Sequence, residues 1–378
     1  MRIVYCTNAI CYAGGMERVT IAKANALAAI DGNEVWIAVT DNNFKPSLPL
    51  DPKVHLKDLE IDYFENESSI FAPVARFFKG IKHRRRLQMF LNEIKPDIVI
   101  AVGWSEKYFL PHLNISSKPK FIRETHYVKH YRLMSATSFL SRVKARFVEW
   151  YDYNWKIKAY DKIVVETHED RETSWDVNHD NVTTIHNPII SKPSKVSTQN
   201  EKIVMAVGRL AAVKNFSSLL DAWSIVEQKN PDWQLFIWGD GALKVELQNK
   251  IDSLHLKTAC LKGYSADVIN EYSNASLLAL TSVFEGFSLA IVEAFAAGVP
   301  VASYSCPCGP KELVSNGVEG FLVEPNDYVA LADRINYMIE HDEERREMAK
   351  HAYEKSKSFD LDFIAKEWMS LFEELRRE

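Results

Sequence analysis

Two parallel α/β domains facing across a cleft are the fold class that this sequence predicts. Three observations predict it. The chain has 378 residues, too many for one ordinary core and suited to two domains. In both halves short apolar runs alternate with stretches of 3.6-residue apolar period, the rhythm of a parallel sheet covered by helices. Between the halves, Pro188 to Lys202 is polar, with two prolines and several Ser and Lys residues, and reads as a linker. The expected domains are 1–188 and 202–358, joined by 189–201, with a closing helix in 359–378.

In the first half, Arg2 to Tyr5 reads as a strand. Ala13-Gly14-Gly15 follows, then helical periodicity from Val19 to Ile30, Gly32 as a stop, and a second strand from Glu34 to Val39. This is a βαβ opening. Paired glycines at the first strand–helix turn let backbone approach a ligand closely; by themselves they are equally a tight turn. No GxGxxG is present, which counts against a dinucleotide site. Val54 to Leu59 predicts a strand, Asn66 to Ser69 a loop, and Arg76 to Leu91 a helix. Asp97 to Val102 predicts a buried strand, and Gly103-Trp104-Ser105-Glu106 opens a loop and helix. Phe121 to Thr125 is a strand ending at His126, where open α/β sheets place ligands. Asp161 to Val165 is another strand, and Thr167-His168-Glu169 caps a helix.

The second half restarts the pattern. Lys202 to Val207 is a strand, followed by Gly208-Arg209 and, five positions on from Arg209, Lys214. Two cations at a strand's carboxyl end can clamp a diphosphate, or can be two exposed loop charges. Leu219 to Val226 and Leu243 to Leu254 predict helices, with the strand Trp233 to Trp238 between them. Gly317 and Gly320 bracket a hairpin-like segment ending in Val323. Glu340 to Lys357 predicts one charged helix, and Phe359 to Leu375 a final amphipathic one.

The stretch Leu278 to Ser303 carries the most chemistry. An apolar run, Leu277 to Leu280, is short enough for a buried strand. Thr281 to Ser288 is a tight loop, Ser288 a good N-cap, and Leu289 to Ala297 a helix that Gly298 and Pro300 stop. A helix N-terminus offers unpaired N–H groups and about half a positive charge. A diphosphate set against Ser288, Leu289 and Ala290 would be held without a basic side chain. Glu285 and Glu293 bracket this site; carboxylates are poor phosphate ligands and good acceptors for sugar hydroxyls. The combination fits a molecule with phosphates in the middle and hydroxyls at both ends, a nucleotide-sugar. Spacing alone equally allows two ordinary helix-end and helix-face acids.

Composition narrows the classes. Hydrophobic content of 47% with 26% charged residues fits a soluble globular protein. No apolar run approaches the ~20 residues that span a bilayer. The N-terminus reads as a first strand and loop, not a signal peptide. Five cysteines, a small odd number, fit a reducing, cytoplasmic compartment; Cys306 and Cys308 lack a second pair, so zinc is not expected. A net charge of −5 argues against a nucleic-acid partner. Arg76 to Arg86 nevertheless holds six Lys or Arg and no acid. Arg142, Lys144, Arg146, Lys156 and Lys158 interleave with Phe147, Trp150, Tyr151, Tyr153 and Trp155. Such stretches suit the cytoplasmic face of an anionic membrane, or a solvated helix face with its aromatics in the core.

Glu285-Gly286-Phe287-Ser288-Leu289-Ala290-Ile291-Val292-Glu293-Ala294 resembles the two-glutamate signature of retaining glycosyltransferases of family 4, which have the GT-B fold. Further matching segments follow in order, strongest from Ile203 to Val323. The resemblance implies two Rossmann-like α/β/α domains with the C-terminal helix crossing back to the first. It implies donor contacts at Gly15, Arg209, Lys214, Gly263, Tyr264, Glu285, Gly286, Phe287, Ser288, Leu289 and Glu293. Arg209 and Lys214 match the phosphate-binding pair. Gly263 and Tyr264 line the nucleobase pocket, and His126 matches the active-site histidine over the donor sugar. Glu124 and Thr125 fall on the acceptor side, and Trp368 and Phe372 can anchor the returning helix.

The implied activity is transfer of a hexose or N-acetylhexosamine, most commonly from a UDP-sugar, to a hydroxyl of a glycan or lipid-linked glycan. Surface or capsular polysaccharide synthesis is the expected setting. No Asp-x-Asp sits in a suitable loop, so no cofactor or obligatory metal is expected. Two other classes share the architecture: a sugar-nucleotide epimerase, which needs an acid/base pair not evident here, and a non-catalytic nucleotide-sugar-binding protein, which an intact set of charged residues speaks against.

Overall fold

The computed structural model describes residues 1–12, 14–42, 45–63, 72–128, 131–134, 136, 138–175 and 181–377. The chain forms two compact units. The first comprises Met1–Glu166, Arg171–Ile190 and Leu361–Glu378; the second Thr167–Asp170 and Ser191–Asp360. The loop expected at 66–69 lies outside the described residues.

Seven short strands make the sheet of the first unit. They are β1 (Arg2–Thr7), β2 (Glu34–Val39), β3 (Val54–Asp58), β4 (Ile98–Ala101), β5 (Lys120–Glu124), β6 (Lys162–Val165) and β7 (Val182–Thr184). Helices α1 (Gly15–Ala29), α2 (Ala72–Ile94), α3 (Tyr131–Met134), α4 (Phe139–Tyr151) and α5 (His168–Ser174) alternate with them. The order is β3-β2-β1-β4-β5-β6-β7, and every pairing is parallel. The chain runs outward from β1 to one edge, then restarts at β4 and runs to the other. Loops leaving the carboxyl ends of β1 and β4 therefore diverge and open a crevice. Apolar strands such as Ile98–Ala101, buried at every position, read as continuous runs because both sheet faces are covered.

The second unit repeats the plan. Its strands are β8 (Ile203–Val207), β9 (Gln234–Trp238), β10 (Ala259–Gly263), β11 (Leu277–Leu280), β12 (Val301–Tyr304) and β13 (Gly320–Val323). Its helices are α6 (Phe216–Lys229), α7 (Lys244–Ser253), α8 (Val268–Glu271), α9 (Leu289–Ala296), α10 (Gly309–Leu313), α11 (Tyr328–Glu340) and α12 (Asp342–Ser356). The order β10-β9-β8-β11-β12-β13 puts the switch between β8 and β11. The last helix, α13 (Leu361–Arg377), returns to the first unit. Ile364, Ala365, Trp368, Leu371, Phe372 and Leu375 form its buried stripe and share one core with Ile3, Ile21 and Leu27.

Two local expectations are corrected. No α-helix follows Gly103; the segment folds into turns and a short 3-10 turn at Leu110–His112. The Glu106 carboxylate turns back to accept the Gly103 amide at 2.8 Å, and Asn8 Oδ1 accepts the Trp104 amide at 3.1 Å, so the helical bonds are displaced. The hairpin-like segment at 317–323 is instead a parallel strand, with Gly320 opposite Val301. Only glycine fits there: φ is +150° and a Cβ would lie 1.9 Å from the Val301 carbonyl oxygen. The charged helix expected from 340 to 357 is α12, Asp342–Ser356. Helix α11 before it went unread; Asp327 caps it by accepting the Ala330 amide at 2.9 Å.

Candidate functional site

In the second unit the switch point places Gly208-Arg209 directly after β8 and the loop 281–288 directly after β11. Two bonds tie these loops together: Thr281 Oγ1 donates to the Lys214 carbonyl at 3.0 Å, and the Val283 amide to the Val213 carbonyl at 2.8 Å. Glycine is required where they converge. A Cβ on Gly208 would lie 3.0 Å from the Lys214 side chain, and one on Gly239 would lie 1.9 Å from the Gly208 carbonyl oxygen. The lysine stem thus lies flat over backbone, and its ammonium reaches Glu285 Oε1 at 2.7 Å. Ser282 Oγ donates to the same oxygen at 2.5 Å. Two residues 71 positions apart are therefore a paired cation and carboxylate at the strand ends. Arg209, two residues past β8, is exposed.

Glu285 bridges to Cys308, and Gly309 packs so closely that a Cβ there would meet the Glu285 Cβ at 2.9 Å. Ser288 occupies the N-cap of α9, the position expected, without a side-chain cap bond; among the described residues its buried hydroxyl has no hydrogen-bond partner. The Leu289 amide donates to the Phe287 carbonyl at 3.1 Å, so it is engaged within the loop. Phe287 is buried, its ring edge-on to Phe359 at 5.8 Å, and packs the loop rather than facing outward. Glu293 is buried in the second turn of α9 and accepts from the Tyr272 hydroxyl at 3.3 Å. Gly263 (φ +79°) ends β10 and accepts the Gly239 amide at 2.8 Å. Tyr264 beside it is exposed.

In the first unit His126 lies two residues past β5. Its Nδ1 is 2.7 Å from Glu166 Oε1 and its Nε2 3.2 Å from Glu124 Oε1. Burial opposes charge on this ring, but the two carboxylates outweigh it and raise the imidazole to about 9. A carboxylate at each nitrogen makes it an imidazolium at neutral pH. Glu124 is buried and ion-paired with Lys23, itself 1% exposed. Burial would raise the Glu124 carboxyl; Lys23 and His126 instead hold it down to about 2. The Lys23 ammonium lies 4.6 Å from the Trp368 ring centroid on α13. Asn187 Nδ2 donates to Glu166 at 2.5 Å. Thr125 is held by its hydroxyl to the Val164 carbonyl at 3.1 Å. Gly15 is exposed at the start of α1.

Lys23, Glu166, Asn187 and Ser282 were missed from sequence. A usable signal existed for Glu166. It directly follows β6, so it stands beside the residues following β5 in a parallel sheet. Lys23 had a weaker one, a lysine within the apolar stretch of α1.

Helix α4 is two-faced. Phe139, Leu140, Val143, Phe147 and Trp150 are all exposed and fall within about 100° of arc, with Phe139 and Leu140 near 80% exposure. Arg142, Lys144 and Arg146 flank them, while Ala145 and Glu149 face inward. The aromatics of this stretch are therefore not core residues, Tyr153 against Trp175 excepted. Phe77, Phe78 and Ile81 of α2 are likewise exposed beside its basic residues. Among the described residues no helix is long and apolar enough to cross a membrane.

Two parallel Rossmann-like units, of seven and six strands, are the architecture of the GT-B fold. Residues 189–355 match the model of glycosyl transferases group 1, and residues 13–191 that of glycosyltransferase family 4; the chain belongs to glycosyltransferase family 4. An uncharacterized glycosyltransferase of Haemophilus influenzae is 26% identical over 95% of this chain and 96% of its own. A Campylobacter jejuni protein is 27% identical over 96% of both chains. It is the GalNAc-α-(1→4)-GalNAc-α-(1→3)-diNAcBac-PP-undecaprenol α-1,4-N-acetyl-D-galactosaminyltransferase. A TarM variant of S. aureus, crystallised with fondaparinux, α-GlcNAc-glycerol and UDP, superposes with a TM-score of 0.75 at 16% identity, covering 98% of this chain and 99% of its own.

Proposed function

We propose that this glycosyltransferase moves a hexose or N-acetylhexosamine from a UDP-sugar to a hydroxyl of a lipid-linked or other glycan, with retention and without a metal. The setting is surface or capsular polysaccharide or glycoconjugate synthesis at the cytoplasmic membrane face. The observation that carries the chemistry is the Lys214–Glu285 pair at the switch point of the second unit. A ligand's diphosphate takes the ammonium, and its sugar hydroxyls take the carboxylate. The Campylobacter relative's acceptor, a PP-undecaprenol glycan, and the UDP in the TarM crystal support the two substrate classes. The exposed apolar and basic face of α4 supports the membrane surface.

In the reaction the bond from the anomeric carbon to the phosphate oxygen breaks while the acceptor oxygen bonds the same carbon on the same face. The departing phosphate oxygen takes the acceptor's proton. Lys214 and Arg209 take the growing charge of the leaving diphosphate. Glu285 orients the sugar by its hydroxyls, Glu293 holds the ribose, and Gly263 and Tyr264 border the base. The backbone around Gly286 and Ser288 approaches the phosphates, and Gly15 and His126 belong to the first unit's part in binding the donor.

Replacing one preorganised charge of this kind typically lowers turnover by about 10²–10³. Lys214→Ala and Glu285→Ala are expected to show losses of that order in a radiolabelled transfer assay; full activity in both would overturn the assignment. Transfer is expected to survive EDTA. The UDP-sugar is identified by thermal shift, where a ligand at about 100 Kd adds ~2.7 kcal/mol, and retention by the anomeric configuration of the product.

A further inference from the structure

A cavity in the first unit is lined by His126, Glu124 and Thr125 together with residues that the chemistry above does not use. It opens beyond the ends of β4 and β5, measures about 550 Å³ with the open solvent at its mouth counted, and is bordered by Glu149 on the inner side of α4 and by Asp152 just after that helix. Among the described residues its lining holds the cations Lys107, Arg123, Arg132 and the His126 imidazolium, and the carboxylates Glu124, Glu149 and Asp152; Glu124 and His126 pair with each other and with Lys23 and Glu166. Lys107 and Arg123 are nearly inaccessible, which is costly for a charge without a partner.

The other two carboxylates, Asp152 and Glu149, do not match Lys107, Arg123 and Arg132. Asp152 takes both Arg123 nitrogens, at 2.8 and 3.0 Å, and also Lys107 at 3.5 Å. Glu149 accepts the Leu133 amide at 3.2 Å. Among the described residues Arg132 has no ion-pair partner; its guanidinium reaches only the Tyr108 hydroxyl, at 3.3 Å. Lys107 and Arg132 instead both lie against the Trp104 indole, 4.3 and 5.1 Å from its centroid. The surplus is felt at Lys107: burial, then the charges of Arg123 and Arg132 against the pull of Asp152, push its ammonium down to about 7. An aromatic wall with two cations on it and one carboxylate short is a site for a sugar carrying an anion.

We propose that this cavity receives an anionic oxygen group of the acceptor, a phosphate or a carboxylate, between Lys107 and Arg132, with the adjoining sugar against Trp104. The proposal rests on the reading of the first unit as the acceptor-bearing one. The same helix that lines the cavity with Glu149 turns Phe147 and Trp150 outward, so an acceptor held at a lipid surface would arrive beside it.

The test is calorimetric titration of the full chain with methyl phosphate, methyl glucuronide and neutral methyl glucoside, with saturating UDP present to occupy phosphate sites of the second unit. One equivalent of at least one anion is expected to bind, at least tenfold tighter than the glucoside. Arg132→Gln and Lys107→Met should each weaken it at least tenfold. Preference for methyl phosphate assigns a phosphorylated acceptor, and preference for the glucuronide a uronic acid. Arg132 is only partly buried on a four-residue helix, so its variant is informative even if Lys107→Met does not fold. No binding of either anion, or affinity within twofold of wild type in Arg132→Gln, overturns the proposal. Failure of UDP itself to bind would instead overturn the donor reading, while the anion titration without UDP still decides the cavity.

Discussion

A histidine between two carboxylates is a pH-dependent element of stability. His126 is raised from 6.5 to about 9, so its charged-state contribution is complete below the unfolded value and is lost as pH rises through about 9. Glu124 is lowered from 4.5 to about 2, so its contribution is complete above the unfolded value and is lost as pH falls toward about 2. Urea melts of wild type and His126→Gln are expected to differ most near pH 5.5 and to converge by pH 9.5. A gap that does not change with pH would contradict the imidazolium. Lys23→Met leaves Glu124 buried without its main partner and is expected to cost about 3–5 kcal/mol. At this scale the sequence was partly legible. His126, Lys214 and Glu285 each follow an apolar strand, but position left their roles open and the family resemblance singled them out. Glu166 and Lys23 went unread, since their importance depends on which strands and helices become neighbours.

Among the elements, strands were read best, because burial on both faces leaves an uninterrupted apolar run with few alternatives. Helix α11 was missed because its polar face, Asp333 and Arg334 among it, interrupts the apolar stripe made by Leu331, Ala332, Ile335 and Met338. Strand β13 was misread because its opening glycines resemble a hairpin turn, whereas Gly320 is needed for close contact with Val301. Close contact is equally exacting at Gly239, whose φ is +141°. Gly239→Ala is expected to cost about 2 kcal/mol or more and to displace the Gly208–Lys214 loop, weakening UDP binding in the same titration. Helix α4 gives the membrane prediction. Wild type is expected to sediment with phosphatidylglycerol vesicles and not with phosphatidylcholine ones, and Phe147→Ser with Trp150→Ser to reduce this at least tenfold. Equal recovery of both proteins would remove the docking role.

For the molecule as a whole, each unit has a core of its own, and the second is almost continuous in sequence from Ser191 to Asp360. A fragment of 191–360 is expected to fold and melt cooperatively by itself. The first unit is discontinuous. Trp368 is 1% exposed among Lys23 and the apolar face of α1, so Trp368→Ala is expected to cost about 3–5 kcal/mol and to loosen Lys23, with it the setting of Glu124 and His126. A melting temperature unchanged by that substitution would mean α13 is dispensable. The two-unit plan was visible in the repeated strand–helix rhythm, but the return of the last helix came from family resemblance, because an amphipathic stripe does not name the surface that it covers.

That return sets an order of events during synthesis. Between Ile190 and Leu361 the ribosome must add about 170 residues, which takes roughly 10–35 s at 5–20 residues per second. For that interval the nascent first unit waits with the face of α1 uncovered, while the second unit already has everything it needs. The later-made half is the one that can mature first, and the earlier-made half is where a chaperone would be needed.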